Sequence, residues 1–187
     1  MRKLFICFVI SMFAFVVNAQ KHLSFMGFPL NGSITSFQQK LATKSILPYK
    51  EFNATNPVGI KAFKGSFSGY ESDVYVYFNE KSRNVYRAKA CISNGQEDIV
   101  LDRYDEFKKL LCEKYKSCKY IEGSQNGYFS FCIFVRSENN EENIMGEIAV
   151  YISSHELLVG VNQYVLHIDY IDWANKNKNK AEKMSDL

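Results

Sequence analysis

The sequence predicts an α+β chain, a tandem duplication of a helix followed by a three- to four-stranded antiparallel sheet. Three observations predict it. Two amphipathic segments carry the same residues 70 positions apart, Phe37, Leu41 and Lys44 in one and Phe107, Leu111 and Lys114 in the other. Each segment is followed by three stretches in which apolar and polar residues alternate, the pattern of half-buried strands. Finally, 187 residues with 15 Phe, 12 Tyr and only 3 Pro suit one domain or two small fused repeats, and exclude a disordered tail or a collagen-like repeat.

Residues 1–19 read as an export signal rather than as part of the fold. Arg2 and Lys3 precede a largely apolar run from Leu4 to Val17, and Val17-Asn18-Ala19 places small residues at the −3 and −1 positions of a cleavage site. The run is too short for a spanning helix. Cys7 lies inside it without the small neighbour that lipidation requires. Without Arg2 and Lys3 the rest of the chain holds 21 basic against 20 acidic side chains. Electrostatic attraction to nucleic acid therefore loses its support.

The first repeat is expected over 20–96. Ser33 is its helix N-cap, and Ile34, Phe37 and Leu41 form one apolar stripe that must end before Pro48. Strands follow at 61–70, 73–79 and 84–92. In the hairpin formed by the last two, burial selects a register in which Val74 opposes Ala90, Val76 opposes Ala88 and Phe78 opposes Tyr86 on the core side. Tyr75 then faces Lys89, Tyr77 faces Arg87 and Asp73 faces Cys91 on the outer side, because a slip of one residue would invert every side chain.

The second repeat is expected over 97–173. Its helix starts at Asp102, with Asp105 and Glu106 in the first turn and Tyr104, Phe107, Leu111 and Tyr115 as the buried stripe. Strands follow at 127–136, 145–153 and 164–171, with 154–163 either strand or loop. In the first of them Phe129, Phe131, Ile133 and Val135 face the core. Residues 174–187, rich in Asn, Lys and Glu, read as a charged C-terminal tail that frays.

Four cysteines remain after the signal, and in an oxidising compartment an even count suggests disulfides. Cys112–Cys118 across the end of a helix and Cys91–Cys132 between halves is the favoured pairing. Four free thiols is the alternative.

Catalytic chemistry has little support. No nucleophile elbow, zinc-protease, nucleotide-loop or calcium-loop motif is present. His167 and Asp169 share a strand face and with Asp172 could form an acid/base or metal cluster, but a solvated strand face explains them as well. Cys91 beside Arg87 and Lys89 is the best-placed nucleophile candidate, although a disulfide explains it better. His22 and His155 fall in loop or extended segments. Asn31 and Asn53 fit the N-glycosylation acceptor pattern. No cofactor, metal or catalytic residue is expected. The feature that points to function is aromatic: Tyr75, Tyr77 and Tyr151, with Phe134 near them, fall on outer strand faces interleaved with Arg87 and Lys89. Tyr and Arg are the residues that interfaces concentrate.

His22 to Ile34, continuing to Phe37, Lys40 and Leu41, resembles the opening of an uncharacterised family of exported proteins of gut Gram-negative bacteria. Tyr164 to Tyr170 is similar to its members as well. That resemblance implies a periplasmic or secreted location and brings no catalytic residues. The two-repeat arrangement looks like a β-lactamase-inhibitory-protein-like fold, which implies a binding or inhibitory role. The expected partner is another envelope or extracellular protein, with neither a nucleic acid nor a transmembrane anchor. A small secreted hydrolase, or an envelope assembly or structural protein, are the alternatives.

Overall fold

The computed structural model describes residues 22–55, 58–116, 118–125, 127–137, 140–158 and 161–185. The expected signal over 1–19, with Cys7, lies outside them. The chain opens with a two-residue hairpin, β1 (Ser24–Phe25) and β2 (Phe28–Pro29). Met26 and Gly27 between them both have positive φ, 54° and 86°, the requirement of the tight turn whose twist matches paired strands. Next come α1 (Ile34–Ala42), β3 (Leu47–Pro48) and α2 (Lys50–Thr55), then β4 (Ile60–Phe67), β5 (Tyr70–Phe78) and β6 (Val85–Asn94). After α3 (Glu97–Lys114) the chain continues as β7 (Lys119–Gln125), β8 (Tyr128–Ser137), β9 (Asn140–Leu158) and β10 (Val161–Asp172), and ends in α4 (Trp173–Met184).

β3 to β10 form one antiparallel sheet of eight strands in the order β3-β4-β5-β6-β10-β9-β8-β7. This corrects the predicted fold class. The architecture is mostly β, with a single continuous sheet in place of two small sheets each following a helix. The cause is the central pairing of β6 with β10, which runs in register from Asn94↔Tyr164 to Arg87↔Ile171. Each strand covers the open edge the other would leave, and an uncovered edge is a liability. The chain thus builds inward from one rim to β6, crosses through α3, and builds inward from the far rim to β10.

One face of the sheet holds the core. Val74, Val76, Ala88, Ala90, Ile148, Val150, Leu166 and Ile168 are fully buried there, under Ile34, Phe37 and Leu41 of α1 and Val100, Tyr104, Phe107 and Leu111 of α3. The β1–β2 hairpin wedges in with them. The Phe25 ring stacks on Phe67 at 5.3 Å and meets Tyr170 edge-on at 5.3 Å, while Phe67 stacks on Phe107 at 5.9 Å.

Local expectations fare unevenly. Ser33 caps α1, its Oγ accepting from Ser36 N at 3.2 Å, and the β5–β6 register is as burial demanded from Asp73↔Cys91 to Tyr77↔Arg87. Phe78 pairs with Val85 rather than Tyr86, because a bulge interrupts the ladder there. α3 begins at Glu97, before Asp102, on a Gln96 that makes no side-chain cap bond. Phe129, expected inside, is 69% exposed, since α3 does not reach that end of β8. The supposed tail is α4 over most of its length. Its N-cap Asp172 is fully buried and accepts at one oxygen from Asn175 N (2.9 Å), and at the other from Leu23 N (2.9 Å) with His22 Nδ1 at 3.1 Å. Asn53, which also fits the glycosylation acceptor pattern, clamps α2 to β4: its amide donates to Ala62 O and accepts from Ala62 N, both at 2.8 Å.

The predicted disulfides are not formed; no cysteine pair among the described residues lies at bonding distance. Cys91 on β6 and Cys132 on β8 share a sheet face, but β10 and β9 lie between them. Three strand spacings amount to about 14 Å, about twice the Cα separation a disulfide tolerates. Cys118 opens the run into β7 after a turn in which its N donates to Tyr115 O at 3.0 Å, which carries it away from Cys112 in the last turns of α3.

Candidate functional site

The face of the sheet opposite the core is crossed by three rows of side chains, fixed by the strand registers. The first runs Tyr77–Arg87–Ile171–Glu147–Phe134, the second Tyr75–Lys89–Asp169–Ala149–Cys132, the third Asp73–Cys91–His167–Tyr151–Ser130. All five residues singled out for binding, Tyr75, Tyr77, Arg87, Lys89 and Tyr151, stand on this face. So do His167, Asp169 and two of the cysteines, whose company the sequence did not show.

Arg87 organises the centre. Its Nε donates to Asp169 Oδ1 at 2.8 Å and an Nη donates to Asp169 Oδ2, a bidentate pair of the strong planar kind. The guanidinium also lies over the Tyr77 ring, 4.5 Å from its centre, and Lys89 lies over Tyr75 at 5.6 Å. Burial works against the charge of Arg87, but the hydrogen bonds and charge of Asp169 together outweigh it and hold the group above the usual arginine range. Tyr75 also meets Phe52 of α2 edge-on at 5.4 Å.

Beside this pair lies a line that sequence reasoning missed. His167 Nδ1 is 3.3 Å from Cys91 Sγ, and its Nε2 is 2.7 Å from Ser153 Oγ. The Tyr151 ring stacks on the imidazole at 4.6 Å. Connectivity alone would suggest a thiol nucleophile with a histidine base, but the protonation states oppose it. Burial lowers His167 to about 4, helped by the charges of Lys89, His155 and Arg87. Burial likewise raises the Cys91 thiol to about 11, against the pull of Lys89. Both partners are neutral near pH 7, and only about one thiol in 10⁴ would be ionised. The same cause lifts Cys132 to about 11, and Tyr75 and Tyr151 to about 12.

Asp172, grouped with His167 and Asp169 by the sequence, is engaged at the α4 N-terminus with His22 and Leu23. Among the described residues no group of three or more His, Cys, Asp or Glu side chains is placed to hold a metal ion. Nor is any described helix long and apolar enough to cross a membrane. The face is thus an ordered, half-buried array of aromatic, cationic and neutral polar groups. Comparison of the chain with protein families, with curated proteins and with solved structures finds no match.

Proposed function

We propose that the chain is a non-catalytic, exported protein-binding module whose outer sheet face docks another envelope or extracellular protein. The observation that supports it is the gathering of Tyr75, Tyr77, Arg87, Lys89 and Tyr151 on one face, already held by cation–π and ion-pair contacts. Side chains fixed before binding lose little rotamer freedom when a partner arrives, so more of their contact energy appears as affinity. Tyr and Arg in that state are the usual hot-spot residues. A periplasmic or secreted location rests on the signal-like residues 1–19.

The test is capture of a partner from envelope and culture fractions by the mature chain, with photo-crosslinkers at the face. Tyr75→Ala with Tyr77→Ala should keep the near-UV spectrum of the fold and reduce capture at least tenfold. Unchanged capture, or crosslinks confined to the α1–α3 side, would overturn the assignment. The hydrolase alternative has the Cys91–His167–Ser153 line in its favour and the neutral state of both Cys91 and His167 against it.

A further inference from the structure

α4 leaves a groove of about 510 Å³ between itself and the sheet, within the size range of pre-formed ligand sites. Tyr86 and Ile171 give it an apolar floor beside Arg87, Met184 stands at the end of its helical wall, and Lys176, Lys180 and Lys183 stand along that wall. These lysines are spaced i, i+4 and i+7, one stripe of the helix. Lys178 is exposed but lies off the stripe and outside the groove lining. Lys176 sits 3.6 Å from Glu147, whereas Lys180 and Lys183 have no ion pair among the described residues. With the chain after the signal close to neutral overall, this is a local concentration of charge. A helix that buries no residue yet lays a lysine stripe over an apolar floor has a face suited to an anionic ligand.

The spacing selects the kind of anion. Along the helix axis the backbone positions of the three lysines are stepped by about 6 Å and about 4.5 Å. Each ammonium is a compact point charge on a flexible stem, so the row spreads positive charge along about 10 Å of the groove. An extended peptide repeats side chains on one side every ~7 Å, so carboxylates two residues apart come within reach of successive lysines of the stripe, whose long stems take up the difference. The apolar floor takes the carbon chain between them. We propose that the groove between α4 and the outer face binds an extended acidic peptide segment, through Lys180 and Lys183 with Lys176 as a third contact. This deepens the docking assignment above, and rests on it, by naming the chemistry of part of the partner.

The experiment uses the full mature chain and a fluorescein-labelled peptide of alternating glutamate and leucine, read by anisotropy at low and physiological salt. The glutamine–leucine peptide is the neutral control. The wild-type chain should bind the acidic peptide at least tenfold more tightly than the neutral one, and added salt should weaken binding. Lys180→Glu with Lys183→Glu should lower affinity at least tenfold, while Lys178→Glu changes it less than threefold. Lys180→Gln with Lys183→Gln serves if charge reversal disturbs the near-UV spectrum, with the same direction expected. Equal loss from Lys178→Glu would show diffuse attraction and overturn the groove. Displacement by inorganic triphosphate at the peptide's own concentration would overturn the peptide and assign a compact anion. Binding to vesicles with anionic lipid but not to the peptide would overturn it in favour of a membrane surface. Because Tyr75 packs on Lys89 and Phe52, neither of which lines the groove, Tyr75→Ala alone should leave peptide affinity unchanged while still weakening partner capture. Failure of the broader docking assignment and failure of this one are therefore read separately.

Discussion

Replacing Asp169 with Ala tests how the outer face is held together. Its side chain is 5% exposed and that of Arg87, its bidentate partner, is 29% exposed. Removing one member of a fully buried pair costs about 3–5 kcal/mol, because the other charge is left without compensation. Arg87 retains some access to water, which can solvate part of its charge, and it keeps the Tyr77 ring. Both considerations reduce the expected cost to about 2–3 kcal/mol. For a chain of this length that amounts to a fall in Tm of roughly 5–10 °C. Urea unfolding followed by fluorescence is the assay, since the single tryptophan, Trp173, packs edge-on against Phe134 at 5.9 Å. The double variant Arg87→Met with Asp169→Leu removes both charges and keeps the volume, and should lie within about 1 kcal/mol of wild type. An Asp169→Ala variant within about 0.5 kcal/mol of wild type would refute the reasoning. So would a double variant as unstable as the single one.

Four further outcomes follow from the same structure. His167 is held neutral in the fold and titrates at about 4 instead of 6.5, so the unfolded chain takes up its proton first as pH falls. Stability should therefore drop between pH 6.5 and pH 4, by about 3 kcal/mol at most, and His167→Gln should flatten that part of the pH profile in urea unfolding. Alkylation in denaturant without reductant should modify Cys91, Cys112, Cys118 and Cys132 alike, with Cys91, at 7% exposure, the slowest of them under native conditions; a recovered Cys91–Cys132 peptide would contradict the sheet order. Asp172→Ala removes the α4 cap and the acceptor of the buried Leu23 amide, and should cost about 2–3 kcal/mol by thermal unfolding. A Cβ at Gly146 would overlap the Ile171 carbonyl oxygen, so Gly146→Ala should destabilise by about 1–3 kcal/mol, whereas an alanine at Gly95, with open space around it, should not.

The local parts of this fold were legible and the long-range parts were not. Alternation gave the β5–β6 register because Val74 and Val76 can be buried in only one of its two phases. The Ser33 cap and the α1 stripe were read for the same kind of reason, each being set by residues within one or two turns. By contrast, β7 reads Lys-Tyr-Ile-Glu-Gly-Ser-Gln, with little alternation, because an edge strand has less to bury. α4 was hidden because it buries no residue; its only sequence signal is Asp172, three residues before Asn175, as a cap. The pairing of β6 with β10 joins residues about 80 positions apart, and nothing near either strand announces it. The sequence therefore revealed which residues point outward, but not that they meet.

That missing pairing decides what the site is. Tyr75, Tyr77, Arg87 and Lys89 precede α3 in the chain, while Tyr151, Ser153, His167 and Asp169 follow it, and only the β6–β10 ladder brings the groups together. Arg87 would have no carboxylate and Cys91 no imidazole if each half closed its own sheet. An ion pair and a thiol–imidazole contact at the seam satisfy polar groups that joining the halves removes from water, and they orient Arg87 and Tyr151 as they do so. The same contacts that let the two halves share one sheet thus also set the geometry of the proposed binding face. A substitution at Asp169 should therefore weaken fold and docking together, while one at Tyr75, beside the seam, should weaken docking with little effect on the fold.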